Sequence, residues 1–387
     1  MVESNEKILF EQIKVALGKS TDFALPGTLN WDTLFYVSMK QCVPAIVLDG
    51  LNKSLASERV QNSEELDVWQ TRKLKWFGVM LNIEKQYAKH ESTIADLAAF
   101  YQKNGFRMML LKGYGLSKYW PIPNHRPTGD IDIYLMNDDS STIKNNNQPA
   151  WKQADKVIKE KLGIKADDSH HHHTVFTYKG TMVENHFDFV NVHSHHSNRW
   201  IEKEFKRLAL VEYEEYSFCN GSKIVLPSPL LNCLFVARHN AIHFAAEHLN
   251  LRQLLDWALL VENRHRDVDW CLFWSLCKQM GMERFVLCMV AIAVERLSFS
   301  QSIFHIPDEH TNFFNDYYTL IDRVLDNILH PTDGDSNGKG LVYIVKRFKL
   351  WRSNLWKHRI VYTDSILSTF LAQLQSHLMK PSTIFGT

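Results

Sequence analysis

The chain is predicted to be an α+β protein, with a small sheet-bearing core set between an N-terminal and a C-terminal helical region. Three observations carry this expectation. Residues 1–104 place their apolar side chains at helical spacing. Short apolar or alternating runs follow at Phe106–Leu111, Asp130–Met136, Thr174–Tyr178 and Met182–Val190. Beyond Trp200 the helical period returns. The 387 residues suffice for a large core and roughly two or three domains. The expected divisions are an N-terminal helical region over 1–90, the core over 91–200 and a C-terminal helical domain over 201–387.

Composition narrows the function classes. With 45% hydrophobic and 12% aromatic residues the chain should fold over most of its length. A net charge of +1 argues against bulk attraction to nucleic acid, so such a partner is disfavoured. Six cysteines are scattered without a CxxC pair, mostly in apolar helical runs, which reads as reduced thiols in a cytoplasmic protein. Glu3, Glu6 and Lys7 interrupt any apolar leader, and no run reaches the about 18 apolar residues of a membrane span.

In the N-terminal region Ile8, Leu9, Ile13, Val15 and Leu17 begin an amphipathic helix. Leu66–Lys89 is expected as a long helix with Trp69, Leu74, Phe77 and Leu81 on its apolar face. Glu91–Asn104 follows as a last helix, with Ile94, Leu97, Ala98 and Tyr101 on one side and Gly105 as its stop. Phe106–Leu111 then turns strand-like and ends in the turn Lys112-Gly113, before a short helix over 113–120.

The next strand opens with Asp130-Ile131-Asp132-Ile133. Residues two apart on a strand face the same way, so Asp130 and Asp132 project together with Ile131 and Ile133 behind them. Two adjacent carboxylates repel, and a hard divalent cation between them relieves the repulsion. An isolated Asp-x-Asp usually reads as one solvated strand face. The preceding strand, Lys-Gly turn and helix favour a metal site here.

Lys112-Gly113, Arg126 and Gly129-Asp130-Ile131-Asp132 resemble the signature of the polymerase-β-like nucleotidyltransferase superfamily. Within it they are most similar to a bacterial family of uncharacterised nucleotidyltransferases. The resemblance spans about residues 95–265 and is densest over 110–135. It implies a small mixed-sheet nucleotidyltransferase core, an Asp-x-Asp strand carrying metal ions and a turn after the first strand that holds the triphosphate. Gly113-Tyr114 stands where Gly-Ser is common in the superfamily, which leaves Lys112 to hold the phosphates. Lys112, Gly113, Tyr114, Arg126 and Arg252 form the expected nucleotide-binding set.

Asn137–Gln148 is rich in Asp, Ser and Asn and reads as a solvated loop; a helix is expected over 150–162. In Met182–Val190, Val183, Phe187 and Phe189 alternate onto one face with Asn185, while Glu184, His186 and Asp188 alternate onto the other. Glu184-x-His186 resembles the family's Glu-x-His strand, making Glu184 the third metal ligand with Asp188 in reserve. His186 is either a general base for an acceptor hydroxyl or a partner that orients Glu184. The other reading is a strand whose polar side faces solvent.

Of the 19 histidines, eight fall between His170 and His196. The run His170–His173 is internal, between Ser169 and Thr174, so it does not read as a tag. Contiguous ligands and the absence of cysteine between Cys42 and Cys219 argue against a dedicated zinc site. His172-x-Thr174-x-Phe176 is expected to enter a strand beside the cleft, with adventitious nickel or zinc binding as a side effect.

Ile224–Pro229 is a short extended piece, and Pro229 suits the first turn of the following helix. There His239, His243 and Glu247 form one stripe. No HExxH occurs, so the stripe is expected to pack on the core or line the cleft. Leu251–Glu262 carries Arg252 and Asp256 as an i, i+4 pair. Leu226–Asp256 resembles the C-terminal part of the same family, which brings either Arg252 or Arg238 towards the triphosphate. Trp270–Leu297 continues as packed helices. From Val342 to Arg359, Lys346, Arg347, Lys349, Arg352, Lys357 and Arg359 interleave with aromatic and apolar residues. This reads as a terminal helix packed on the domain, with peripheral contact to an anionic membrane as the alternative.

The expected activity is transfer of a nucleoside monophosphate from an NTP to a hydroxyl-type acceptor, a small molecule, with release of pyrophosphate. Asp130, Asp132, Glu184 and His186 are the expected catalytic residues. Mg²⁺, or alternatively Mn²⁺, would sit on Asp130, Asp132 and Glu184. A non-catalytic NTP-binding regulatory module and a nucleic-acid-end nucleotidyltransferase guided by the basic tail are the alternatives.

Overall fold

The computed structural model describes residues 5–21, 29–56, 63–138, 148–246, 248–331, 349 and 352–369. Helices α1 (Asn5–Ala16), α2 (Trp31–Lys40) and α3 (Pro44–Ala56) come first. Ile8, Leu9 and Ile13 of α1 meet Ile46, Val47 and Leu51 of α3 in one buried cluster. The approach is close enough that a Cβ on Gly50 would lie 2.0 Å from the Gln12 carbonyl oxygen.

α4 (Ser63–Lys103) runs unbroken for 41 residues, where the sequence suggests two helices. No Gly or Pro lies between Val79 and Asn104 to stop it. Its core-facing residues Trp69, Trp76, Ile83, His90 and Leu97 recur at intervals of seven. Leu74 and Leu81, expected on the apolar face, are exposed. Each lies roughly 200° around the helix from a member of that stripe. Ile94, Leu97, Ala98 and Tyr101 are buried as expected, and Gly105, at φ +79°, leads out of the helix.

Next come β1 (Phe106–Leu110), α5 (Tyr114–Ser117), β2 (Ile131–Asn137), α6 (Ala150–Leu162), β3 (His173–Tyr178), β4 (Thr181–His186), α7 (Asn198–Val211), β5 (Tyr213–Ser217) and β6 (Lys223–Pro227). The strands form one mixed sheet in the order β3-β4-β2-β1-β6-β5. β1 is antiparallel to β2, and β4 runs parallel to β2 with Asp132 opposite Glu184 and Tyr134 opposite His186. β5, a polar edge strand of Tyr-Glu-Glu-Tyr-Ser, was not anticipated because its residues give no apolar alternation. The run expected as a strand to Val190 stops at His186. The amides of Phe187 and Asp188 both turn to the His172 carbonyl, which ends the ladder. The loop expected over Asn137–Gln148 lies outside the described residues for 139–147.

Alternation sorts the sheet into two faces. Met108, Leu110, Ile131, Ile133, Leu135 and Val183 pack with α4 and α6 in one cluster. Met109, Met136 and Val225 turn to the opposite cluster, built with α7 and the helices α8 (Pro229–Ala246) and α9 (Leu251–Arg264). Asn185, the polar exception on the first face, donates to Asp155 of α6 at 2.9 Å. Beyond these lie α10 (Trp270–Gln279), α11 (Glu283–Leu297), α12 (Phe313–Asp316), α13 (Tyr318–Leu329) and α14 (Leu355–Val361). In the basic tail, residues 342–348, 350 and 351 lie outside the described residues. α14 itself packs on α8 and α11 and buries Lys357, Ile360 and Val361. Cys233, Cys277 and Cys288 are buried thiols, whereas Cys219 and Cys271 are exposed rather than internal. Among the described residues no helix is long and apolar enough to cross a membrane.

The α1–α3 approach gives a direct test. Gly50→Ala should destabilise the protein by about 3 kcal/mol, since helix backbone must move to admit a methyl group. Urea denaturation reads this, and an unchanged midpoint would contradict the close crossing.

Candidate active site

On the face of the sheet that points to α8, Asp132, Glu184 and His186 emerge together from the neighbouring strands β2 and β4. Asp132 is almost fully buried. Its Oδ1 accepts from Lys112 Nζ at 3.0 Å and lies 3.1 Å from His186 Nε2. The same His186 nitrogen is 3.4 Å from Glu184 Oε2. Asp132 Oδ2 is buried and has no hydrogen-bond partner among the described residues. Asp130, just ahead of β2, faces the same cleft.

These charges set one another. Burial opposes the Asp132 carboxylate, but Lys112 and His186 hold it well below the usual carboxylate range. Burial and the Asp132 charge raise Asp130, with Lys112 opposing. Burial works against the Lys112 ammonium, yet Asp132, Asp130 and Glu184 lift it above its ordinary value. Burial lowers His186, and its bonds to Asp132 and Glu184 overcome this and push it up to about 9. Its Nε2 lies between the two carboxylates.

Lys112 divides the cleft into two lobes. One, about 80 Å³, is lined by Lys112, Gly113, Arg126, Gly129, Asp130, Asp132, Asn240, Arg252, Gln253 and Asp256. The other, about 320 Å³, is lined by Lys112, Asp130, His172, His173, Glu184, His186, Phe189, Asn191, Ser194, Asn198, His239 and His243. Phe235 and His239 of α8 border both. Burial and Lys112 push His239 well below its ordinary value, so it is neutral beside the lysine.

Arg126 lies in the first lobe but is tied up. Its Nε and Nη2 donate to the two oxygens of Asp256, each at 2.7 Å, and Nη1 donates to the Pro127 carbonyl at 3.0 Å. Trp120 Nε1 donates to the same Asp256 at 2.8 Å. The expected Arg252–Asp256 pair is thus replaced by Arg126–Asp256, because a bidentate fork from across the cleft outcompetes an i, i+4 contact. Arg252 donates only weakly to Pro127 O, at 3.3 Å, and its Nε is buried without a partner among the described residues. Burial and Arg126 lower it from its ordinary value. The N-terminal helices position it: Gln41 accepts the Leu251 amide on its side chain and the Arg252 amide on its carbonyl.

Three expected residues lie elsewhere. Tyr114 turns into the α4 side of the sheet, donates to Glu91 at 2.6 Å and stacks near Tyr87. Arg238 is fully buried and donates to the Val361 carbonyl and to Asn198, away from the phosphate side. Asp188, the reserve ligand, pairs with Lys206 at 2.5 Å once the strand has ended. Phe189 crosses to the α8 side and stacks on Tyr134. Glu247 lies outside the described residues. α5, one turn long, is shorter than the helix expected over 113–120. The sequence reading missed Asn198 and Phe235, of which only Phe235 carried a signal, as the residue one turn before His239.

The segment leaving β4 is pinned by Glu202 of α7, whose Oε2 accepts the Val190 amide at 3.0 Å. Burial, then the Asp188 charge, push Glu202 up to about 7, with Lys206 opposing. The folded state therefore holds a proton more tightly than the unfolded chain, and stability drains as pH rises from the ordinary glutamate value towards 7. Relative to Glu202→Gln, the wild type should lose up to about 3 kcal/mol between pH 5 and pH 8. Parallel urea curves at both pH values would refute the shift. Arg126→Met should cost about 3–5 kcal/mol by stranding the buried Asp256 carboxylate, and Arg126→Met with Asp256→Leu should recover much of it. A double variant no more stable than the single would contradict this.

Residues 28–298 match the model of a family described as uncharacterised nucleotidyltransferase. No curated protein and no solved structure shows significant similarity to the chain.

Proposed function

Because the chain belongs to the family of uncharacterised nucleotidyltransferases, we propose that it moves a nucleoside monophosphate from an NTP to a hydroxyl on a small acceptor and releases pyrophosphate. The observation that carries this is the convergence of Asp130, Asp132 and Glu184 beside Lys112, with Asp132 Oδ2 buried and without a partner among the described residues. An antiparallel β1–β2 pair with Asp-x-Asp at the start of β2, and a carboxylate on the parallel neighbour β4, supports placing it in the polymerase-β-like superfamily.

The donor set fits Mg²⁺: three carboxylates of hard oxygen, one of them with a buried oxygen that has no partner among the described residues. Bound there, the ion supplies charge neutralisation for the triphosphate and lowers the pKa of the attacking hydroxyl. The rest falls to the chain. Lys112 and the freer Arg252 receive phosphate oxygens in the smaller lobe, and Gly113, at φ +63°, keeps the backbone of the turn open to them. Arg126 holds Asp256 and the Pro127 carbonyl rather than substrate. His186 fixes Asp132 and Glu184 in one geometry. The larger lobe, where Asn191, Ser194 and Asn198 join His172 and His173, suits a polar hydroxyl acceptor. An NTP substrate and reduced thiols fit a cytoplasmic setting.

Calorimetry with ATP, GTP, CTP and UTP, in Mg²⁺ and in EDTA, tests the reading. The wild type should bind at least one NTP only with the metal. Asp132→Asn, its fold checked by circular dichroism, should weaken that binding by on the order of 100-fold, or roughly 2.7 kcal/mol. Equal affinity in EDTA, or in the variant, would sink the assignment.

A further inference from the structure

We propose that His172, His173 and His186 form a second metal site on the acceptor side of the cleft, one that takes a transition ion of the Zn²⁺ class rather than Mg²⁺. The three residues offer ring nitrogens that all lie within 4.8 Å of one another. Their ring centroids are 4.4 Å apart for His172–His173, 5.1 Å for His173–His186 and 5.6 Å for His172–His186. A tetrahedral ion bound at about 2.0–2.1 Å needs nitrogens roughly 3.3 Å apart, which small ring rotations supply.

Two adjacent histidines on a strand would face opposite ways. The fold removes that objection. β3 begins at His173, and His172 lies just before it, in a turn whose carbonyl accepts the Phe187 and Asp188 amides. Both rings therefore reach His186 at the end of β4.

The cluster is built rather than incidental. His173 is 6% exposed, and neither of its nitrogens has a hydrogen-bond partner among the described residues. His172 Nδ1 is likewise buried and unsatisfied. Such groups cost free energy unless a ligand satisfies them. Glu184, 3.8 Å from His173 Nε2 and 3.4 Å from His186 Nε2, offers a fourth ligand, a carboxylate the two sites would share. Three nitrogens and one oxygen suit Zn²⁺, Co²⁺ or Ni²⁺, whereas Mg²⁺ prefers an all-oxygen shell.

The inference does not rest on the transfer reaction, and its test uses no nucleotide. The full chain, made without an affinity tag, is stripped with EDTA, dialysed against Zn²⁺ and assayed for metal content; Co²⁺ absorption reports coordination geometry. The wild type should retain about one Zn²⁺ per chain in excess Mg²⁺ and give the intense bands of tetrahedral Co²⁺. His173→Gln should weaken retention by about 100-fold, in line with loss of one ligand. His193→Gln, at an exposed histidine whose ring lies near that of His171, should leave it unchanged. Should His173→Gln fail to fold, His172→Gln and the wild-type Co²⁺ spectrum decide. No retained zinc, octahedral Co²⁺, or retention lost in His193→Gln and kept in His173→Gln would overturn the site in favour of adventitious surface binding.

Discussion

The buried Asp132 carboxylate is the constraint on which the site is built. A lone carboxylate at that depth would cost several kcal/mol, so its neighbours are dictated. Lys112 and His186 both approach Oδ1, which commits the turn after β1 and the end of β4 to fixed positions around β2. Parallel pairing places Asp132 opposite Glu184, so the second carboxylate shares the first one's partner. A one-residue slip of β4 in that register would turn Glu184 and His186 into the α4–α6 cluster. The sheet alignment and the charge cluster therefore specify each other.

A second buried ion pair fixes the opposite wall. Asp256 gathers Arg126 and Trp120 from the segment between α5 and β2, so α9 is tied to the loop that delivers Asp130. His90 of α4 holds that loop from the other side through the Gly129 carbonyl. Gln41 in turn anchors the first turn of α9 to the N-terminal helices. The helical regions thus do more than cover the sheet: they set where Arg252 and Asp130 stand relative to Lys112.

Local periodicity made much of this legible. The strands at 106–111, 130–136 and 174–178 and the helix at 150–162 follow from runs whose period is unambiguous, and Asp-x-Asp with Glu-x-His marked the polar end of the sheet. What stayed hidden depended on partners far away in sequence. Asp256 reads as a helix-surface mate for Arg252 until Arg126 is seen across the cleft. Phe189 seems to continue an alternation that stops where His172 captures two amides. Tyr114 follows a phosphate-like turn, yet its hydroxyl finds Glu91. Arg238 looks like a free cation, but its helix faces α7 and α14. In each case a buried hydrogen bond outweighed the sequence pattern.

The two lobes differ in kind, and that difference follows from how charge is distributed around Lys112. On the Arg252 side, cations and carboxylates alternate, so an anionic ligand arriving with hard metal ions meets complementary charge on every wall. On the His173 side burial lowers His172 and His173, and Asn191, Ser194 and Asn198 add neutral polar groups to a wall that Lys112, Asp130, Glu184 and His186 also border. A neutral hydroxyl compound would find amide and hydroxyl partners there. His186 belongs to both sides: it bonds the carboxylates of one and packs against the imidazoles of the other. The residue that orients Asp132 and Glu184 is therefore also the one through which anything bound among the histidines would be felt by the carboxylates.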